Sequence, residues 1–247
     1  MVRMIDLHNH SLPTVDDGAK DYEEAIKNIE YLIERGVTDI VFTSHYILNS
    51  RYSINVVERQ KILARLSKML NTSKINLYLG NEVFINDSIS DLLVQNEITT
   101  LNMSKYLLVE FPLNHPICHL DQFICELNDQ GITPIIAHPE RYIYFQKHPE
   151  KIEEILEYDC LLQCNLGSIN KQFGRKAKKL MKTLLKKDLV SFIATDFHHV
   201  VSKDYITSSI KKLKKIISNE KLHQLCYENP KKVLENETID IHRYQTV

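Results

Sequence analysis

The chain has 247 residues, with 31 Lys+Arg against 32 Asp+Glu and a formal net charge of −1, so its overall charge draws it neither to nucleic acid nor to an anionic membrane. Its five cysteines, Cys118, Cys125, Cys160, Cys164 and Cys226, include no C-x-x-C pair, which excludes a zinc ribbon and a disulfide framework and leads us to expect reduced thiols in the cytoplasm. No apolar leader precedes "MVRMIDLHNH" and no stretch approaches 18 apolar residues, so neither secretion nor membrane insertion is expected.

In chain order, the first predicted strand is "MIDLHNH". Side chains at i and i+2 of a strand share a face, so His8 and His10 project together. "YEEAIKNIEYLIERG" puts Tyr22, Ala25, Ile26, Ile29, Leu32 and Ile33 on one helical stripe and stops at Gly36. "TDIVFTSH" follows as a strand, then a helix around residues 55–71, then the strands "INLYLGNE" and "KYLLVEFP". "TPIIAHPE", "CLLQCNLG" and "VSFIATDFH" complete a set of seven. Most are separated by helical patterns, which predicts βα units in a parallel sheet or barrel, one domain over residues 1–247. The lysines of "KAKKLMKTLLKKD" and "IKKLKKII" accompany apolar residues at helical spacing and read as solvated helix faces, with no nucleic-acid role.

Metal-binding residue types recur at the strand ends. His8 and His10 close the first strand, His45 the second, Glu82 the third, Glu110 the fourth, His138 the fifth, and Asp196 with His198 the last. In a (β/α) barrel these ends converge on one face. A lone Glu or His after a strand is ordinarily a cap or a loop residue, but six strand ends acting alike predict a common metal site. Asp17 in "VDDGA" is a further candidate, with Asp16 as its competitor. Imidazole and carboxylate without thiolate suit Mn²⁺, Fe²⁺ or Zn²⁺ better than Ca²⁺, and so many donors call for two or three ions.

The ordered series "DLHNH", "DDGA", "TSH", "GNE", "VEF", "AHPER" and "TDFH" resembles the PHP (polymerase and histidinol phosphatase) superfamily. Within it the series is most similar to the bacterial manganese-dependent tyrosine-protein phosphatases of capsular and exopolysaccharide operons, from about residue 4 to about residue 200. The resemblance implies a distorted (β/α)7 barrel with a trinuclear centre, and His8, His10, Asp17, His45, Glu82, Glu110, His138, Asp196 and His198 as its ligands. It also gives Arg141 of "AHPER" a catalytic, phosphate-binding role, for which a guanidinium fork is suited. Relatives often carry a second arginine five residues after the D-x-H histidine. Here that position is Lys203, which keeps the charge for substrate binding but loses the fork.

The implied reaction is in-line attack of metal-activated hydroxide on a phosphate monoester. Six residues after the five cysteines stand Ile124, Gly131, Leu166, Asn170 and Lys232, so the C-x5-R loop of cysteine-dependent phosphatases is absent. There is no G-x-x-x-x-G-K-[ST] loop either. The substrate implied is phosphotyrosine on a protein, expected to be the tail of a tyrosine kinase that regulates polysaccharide export. A small metabolite such as histidinol phosphate is the alternative, and a non-catalytic metal scaffold is a third reading that the complete ligand set disfavours.

Overall fold

The computed structural model describes residues 2–70, 74–116, 119–200 and 204–239. The strands are β1 (Met4–Asn9), β2 (Val37–Phe42), β3 (His45–Tyr46), β4 (Asn76–Leu79), β5 (Glu82–Phe84), β6 (Tyr106–Glu110), β7 (Thr133–Ala137), β8 (Leu161–Asn165) and β9 (Phe192–Ala194). The helices are α1 (Tyr22–Ile33), α2 (Val56–Met69), α3 (Ile89–Val94), α4 (Leu120–Asp129), α5 (Ile143–Lys147), α6 (Glu150–Ile155), α7 (Gly174–Lys186), α8 (Tyr205–Leu213), α9 (Asn219–His223) and α10 (Asn229–Leu234). The capping chemistry is local. Asp21 and Asn55 accept from the N–H groups of Glu24 and Glu58 at the starts of α1 and α2.

Every strand pairing is parallel, in two sheets ordered β1-β2-β4 and β3-β5-β6-β7-β8-β9. The two sheets share strands that break partway: β2 runs into β3 across Thr43–Ser44, and β4 into β5 across Gly80–Asn81. Counting each broken pair once gives the seven predicted strands. The last returns to the first through His10 N–H to the Phe197 carbonyl (2.9 Å) and Asp196 N–H to the His8 carbonyl (2.8 Å). Buried Asp6 ties this seam, accepting from the Thr195 N–H at 2.8 Å.

A buried charge lies at one of the breaks. Arg59 of α2 is fully buried and donates to the Gly80 carbonyl and to Asn81 Oδ1, while Asn81 donates to the Ser44 carbonyl at 3.1 Å. A buried guanidinium must find acceptors, and it finds them in the Gly80 carbonyl and the Asn81 side chain between β4 and β5. Burial lowers its pKa to about 10, so Arg59 stays cationic at neutral pH.

Apolar residues fill both sides of the strands. Met4, Leu107, Val109, Ile136, Leu162 and Ile193 pack outward with the helices, whereas Ile5, Leu7, Leu108, Ile135, Ala137, Leu161 and Phe192 form a second cluster within the ring. β1 has one residue more than β2 between its pairings Asp6–Ile40 and Asn9–Phe42. This bulge reverses the alternation, so that His8 and His10 face inward after Ile5 and Leu7 have already done so. Among the described residues no helix is long and apolar enough to cross a membrane.

Candidate metal centre

All nine residues expected as ligands meet at the C-terminal ends of the strands. Their donor atoms form four overlapping groups: His10, Asp17, His45 and His198; His8, His10 and Glu82; His8, His138 and Asp196; and His45, Glu82 and Glu110. Within each group the atoms lie within 4.8 Å of one another.

Glu82 is the hub. It is 1% exposed; its Oε1 lies 2.9 Å from His138 Nε2, and its Oε2 lies 3.2, 3.4 and 3.0 Å from His8 Nε2, His10 Nε2 and His45 Nδ1. Asp196 Oδ1 sits 3.4 Å from both His8 Nε2 and His10 Nε2, and Asp17 reaches His45 and His198 at 3.5 and 3.4 Å. Two of these side chains depend on unusual backbone. His138 (φ 35°) and Asp196 (φ 53°) hold left-handed conformations that cost a non-glycine residue roughly 1–3 kcal/mol. At His138 this turn points the ring to Glu82, although strand alternation alone would send it outward.

The "DDG" loop resolves the choice between its two carboxylates. Asp16 lies behind the site, accepting from His10 Nδ1 (2.7 Å), the His45 N–H (3.0 Å) and the Gly18 N–H (3.0 Å), while Asp17 faces the cluster. Gly18 permits this fold: a Cβ there would fall 1.7 Å from the His10 carbonyl oxygen.

A metal is the natural occupant of this donor set. His8 Nδ1 lies 2.8 Å from Gln163 Oε1 and His10 Nδ1 is held by Asp16, so each ring donates its Nδ1–H outward and aims Nε2 inward; burial opposes charge on both imidazoles, but the surrounding carboxylates outweigh it and raise their pKa. Those two Nε2 atoms are 3.1 Å apart and ringed by carboxylates. Glu82 Oε2 and His45 Nδ1 are buried 3.0 Å apart, close as an ion pair but outside hydrogen-bond geometry. Inward-facing imidazole nitrogens and carboxylates this closely packed fit divalent cations, which bind in place of the ring protons.

The electrostatics reflect this crowding. Burial opposes charge on His45, but Glu82 and then Glu110 outweigh it and hold the imidazole up to about 9. Burial and the Glu82 charge push Glu110 up to about 7, whereas burial and the Arg141 guanidinium push His138 down to about 4. For Asp196 burial favours the neutral acid, yet the surrounding histidines hold the carboxyl well below its usual range.

Arg141 reaches the rim from the turn after β7. Its Nη1 donates to Asp196 Oδ2 at 2.8 Å, and its guanidinium lies 4.4 Å from the centre of the Phe173 ring. Lys203 falls outside the described residues. The sequence reading missed Gln163 and Asn165 on β8, the strand to which it gave no functional residue. Gln163 donates to Asn165 Oδ1 (3.0 Å) and Asn165 to Asp196 Oδ2 (2.6 Å), forming a relay from His8 to Asp196. Their signal was present: two amides at i and i+2 in the apolar strand "LLQCN". Glu140 also went unremarked; it is fully buried and fixes the following turn through the Asn165 N–H and Ser168 hydroxyl.

Residues 4–235 match the family described as "Capsular polysaccharide synthesis, CpsB/CapC". The chain is 36% identical to CapC of Staphylococcus aureus, covering 96% of this chain and 93% of that one. It is 30% identical to the tyrosine-protein phosphatase YwqE of Bacillus subtilis (strain 168), with the same shares covered. In structure it is similar to a crystal structure from work on YwqE of Bacillus subtilis and CpsB of Streptococcus pneumoniae, described as unique metal-dependent tyrosine phosphatases. That match has a TM-score of 0.83, 29% identity and 96% of each chain covered. A histidinol phosphate phosphatase from Lactococcus lactis, complexed with zinc, L-histidinol and phosphate, shares the fold at a TM-score of 0.58 and 19% identity, over 88% of this chain and 93% of that one.

Proposed function

The chain belongs to the CpsB/CapC family of capsular polysaccharide synthesis, and from that premise we propose that it is a metal-dependent phosphatase that hydrolyses phosphotyrosine on a protein. The observation that carries this reading is the convergence of nine imidazole and carboxylate side chains in four overlapping donor groups. Its likeness to metal-dependent tyrosine phosphatases over nearly the whole chain supports it.

In this reading His8, His10, Asp17, His45, Glu82, Glu110, His138, Asp196 and His198 hold two or three divalent ions, manganese by preference, with iron or zinc also suited to the donors. Bound metal supplies Lewis acidity toward a phosphoryl oxygen and lowers the pKa of water. Glu82, within 3.4 Å of four imidazoles, would hold metal together with them. Gln163 and Asp16 engage Nδ1 of His8 and His10, which would leave Nε2 of each ring for metal. Arg141 binds the phosphate through the N–H groups not engaged by Asp196, and the Phe173 ring beneath it keeps the guanidinium over the site.

The family description supports a role in capsular polysaccharide synthesis; within that role we propose a tyrosine kinase as the substrate protein and the cytoplasm as the place of action. Histidinol phosphate is the competing substrate, supported by likeness of fold alone. A comparison of kcat/KM for a phosphotyrosine peptide and for histidinol phosphate, each with added Mn²⁺, decides between them. The phosphatase assigned here turns over the peptide faster, and preference for histidinol phosphate would overturn the assignment.

A further inference from the structure

The lysines of α7 and α8 fit poorly with a merely solvated surface. Arg175, Lys178 and Lys182 stand at i, i+3 and i+7 along one stripe of α7. Both helices pack on the turn Leu166–Asn170 that follows β8. There Asn170 donates to Ser208 of α8 at 2.8 Å and accepts from Lys212. Burial and then Lys212, Lys171 and Lys182 all push the Lys178 ammonium's pKa down, so the cations are close enough to repel one another. Among the described residues none of Lys171, Arg175, Lys178, Lys182 and Lys212 has an ion pair. Salt-bridged lysines occur elsewhere on the same surface, Lys187 with Glu153 and Lys151 with Glu154, so pairing was open to this chain.

The basic face also runs up to the rim of the metal centre. Phe173, whose ring lies against Arg141, is two residues before Arg175. A chain whose net charge is −1 thus concentrates unpaired cations beside the point where a phosphate group would enter.

We propose that this face, Lys171, Arg175, Lys178, Lys182 and Lys212, docks an anionic peptide segment flanking the phosphotyrosine of the substrate protein. The proposal rests on the phosphatase reading for the site beside it. The stripe from Arg175 to Lys182 is about 10 Å long, and an extended peptide covers roughly 3.3 Å per residue. Acidic residues within about six positions of the phosphotyrosine therefore fall along it. Lys171, Arg175 and Lys212 are exposed and Lys178 and Lys182 half-buried, so such contacts are solvent-screened and long-ranged; they act on encounter and on KM and weaken with salt.

The test compares a phosphotyrosine peptide flanked by glutamates with one flanked by glutamines, and p-nitrophenyl phosphate as a substrate too small to reach the face. Wild-type protein should show a KM roughly tenfold lower for the glutamate peptide at low salt, with the advantage gone at about 0.5 M salt. The double variant Lys178→Glu/Lys182→Glu, and separately Lys212→Glu on the other helix, should lose that preference while kcat/KM for p-nitrophenyl phosphate stays at the wild-type value. No preference in the wild type, or a preference undiminished in both variants, overturns the proposal. So does binding to phosphatidylglycerol vesicles that the variants abolish without any peptide preference, since the face would then serve a membrane. A protein inactive on every phosphate monoester would sink the phosphatase reading, and fluorescence anisotropy with the same two peptides then decides the docking face by the same comparison.

Discussion

Asp16→Asn is nearly isosteric, yet it attacks the geometry on which the site depends. The Asp16 carboxylate accepts three N–H groups, from His10 Nδ1, His45 and Gly18, and it offers no donor in return. An amide has one oxygen, so its NH2 must face at least one of those N–H groups. If it faces Gly18, a backbone donor is orphaned; if it faces His10, the ring is driven to the other tautomer and its Nε2 closes with a proton. A hydrogen bond to a charged group is worth about 1.5–3 kcal/mol, which corresponds to roughly 10–100-fold in metal affinity. Competition titration of Mn²⁺ against a chromogenic chelator reads the loss, with circular dichroism confirming the fold. The neighbouring Asp17→Asn removes a donor itself and should weaken the group formed with His10, His45 and His198 while leaving the His8–Glu82 group intact. Unaltered affinity in well-folded Asp16→Asn would refute the claim that His10 is held by this carboxylate.

Three further outcomes are expected. Gln163→Leu orphans the Nδ1–H of buried His8 and should lower metal affinity by about tenfold, whereas Gln163→Glu, which restores an acceptor, should recover it; equal affinity in all three proteins would remove the relay from the account. His45, held up to about 9, keeps its proton below that pH in metal-free protein and must lose it to bind metal through that ring, and Glu110, raised to about 7, adds a second proton below pH 7. Log affinity should therefore rise as pH climbs toward 9, more steeply below 7, with calorimetry in buffers of different ionisation enthalpy showing proton release; a pH-independent constant without proton release would contradict it. Burial pushes Cys160 and Cys226 up to about 12 and Cys164 well above its usual range, so these are thiols without nucleophilic character, and Cys→Ala variants should retain Mn²⁺-dependent turnover per folded molecule; acid-stable capture of a phosphocysteine would overturn this.

The strands and the eight strand-end donor candidates were legible because both depend on simple spacing. Apolar runs bounded by helical stripes mark βα units, and chemistry concentrated at one end of each run marks the converging face. What was not legible depends on contacts between distant segments. "TSH" and "GNE" read as the ends of unbroken strands, and nothing local reveals that the buried Arg59 of α2 and Asn81 link the points where both are interrupted. Simple alternation correctly pairs His8 with His10 but would place them with Met4 and Asp6; only the extra residue of β1 against β2 turns them inward. Asp16 and Asp17 are the same residue type side by side, and the close packing of Gly18 on His10 decides which faces metal. Gln163 and Asn165 were missed because amides are not ligands, and their role exists only through His8 and Asp196.

The central claim is that nine strand-end side chains build one multinuclear metal centre that hydrolyses phosphate monoesters. Metal analysis of protein purified without chelator, followed by chelation and readdition while hydrolysis of a phosphotyrosine peptide is monitored, tests it most directly. The account predicts more than one equivalent of transition metal per chain, loss of turnover on stripping and recovery best with Mn²⁺. Full activity in metal-free protein, or a single equivalent sufficient for full activity, would contradict it.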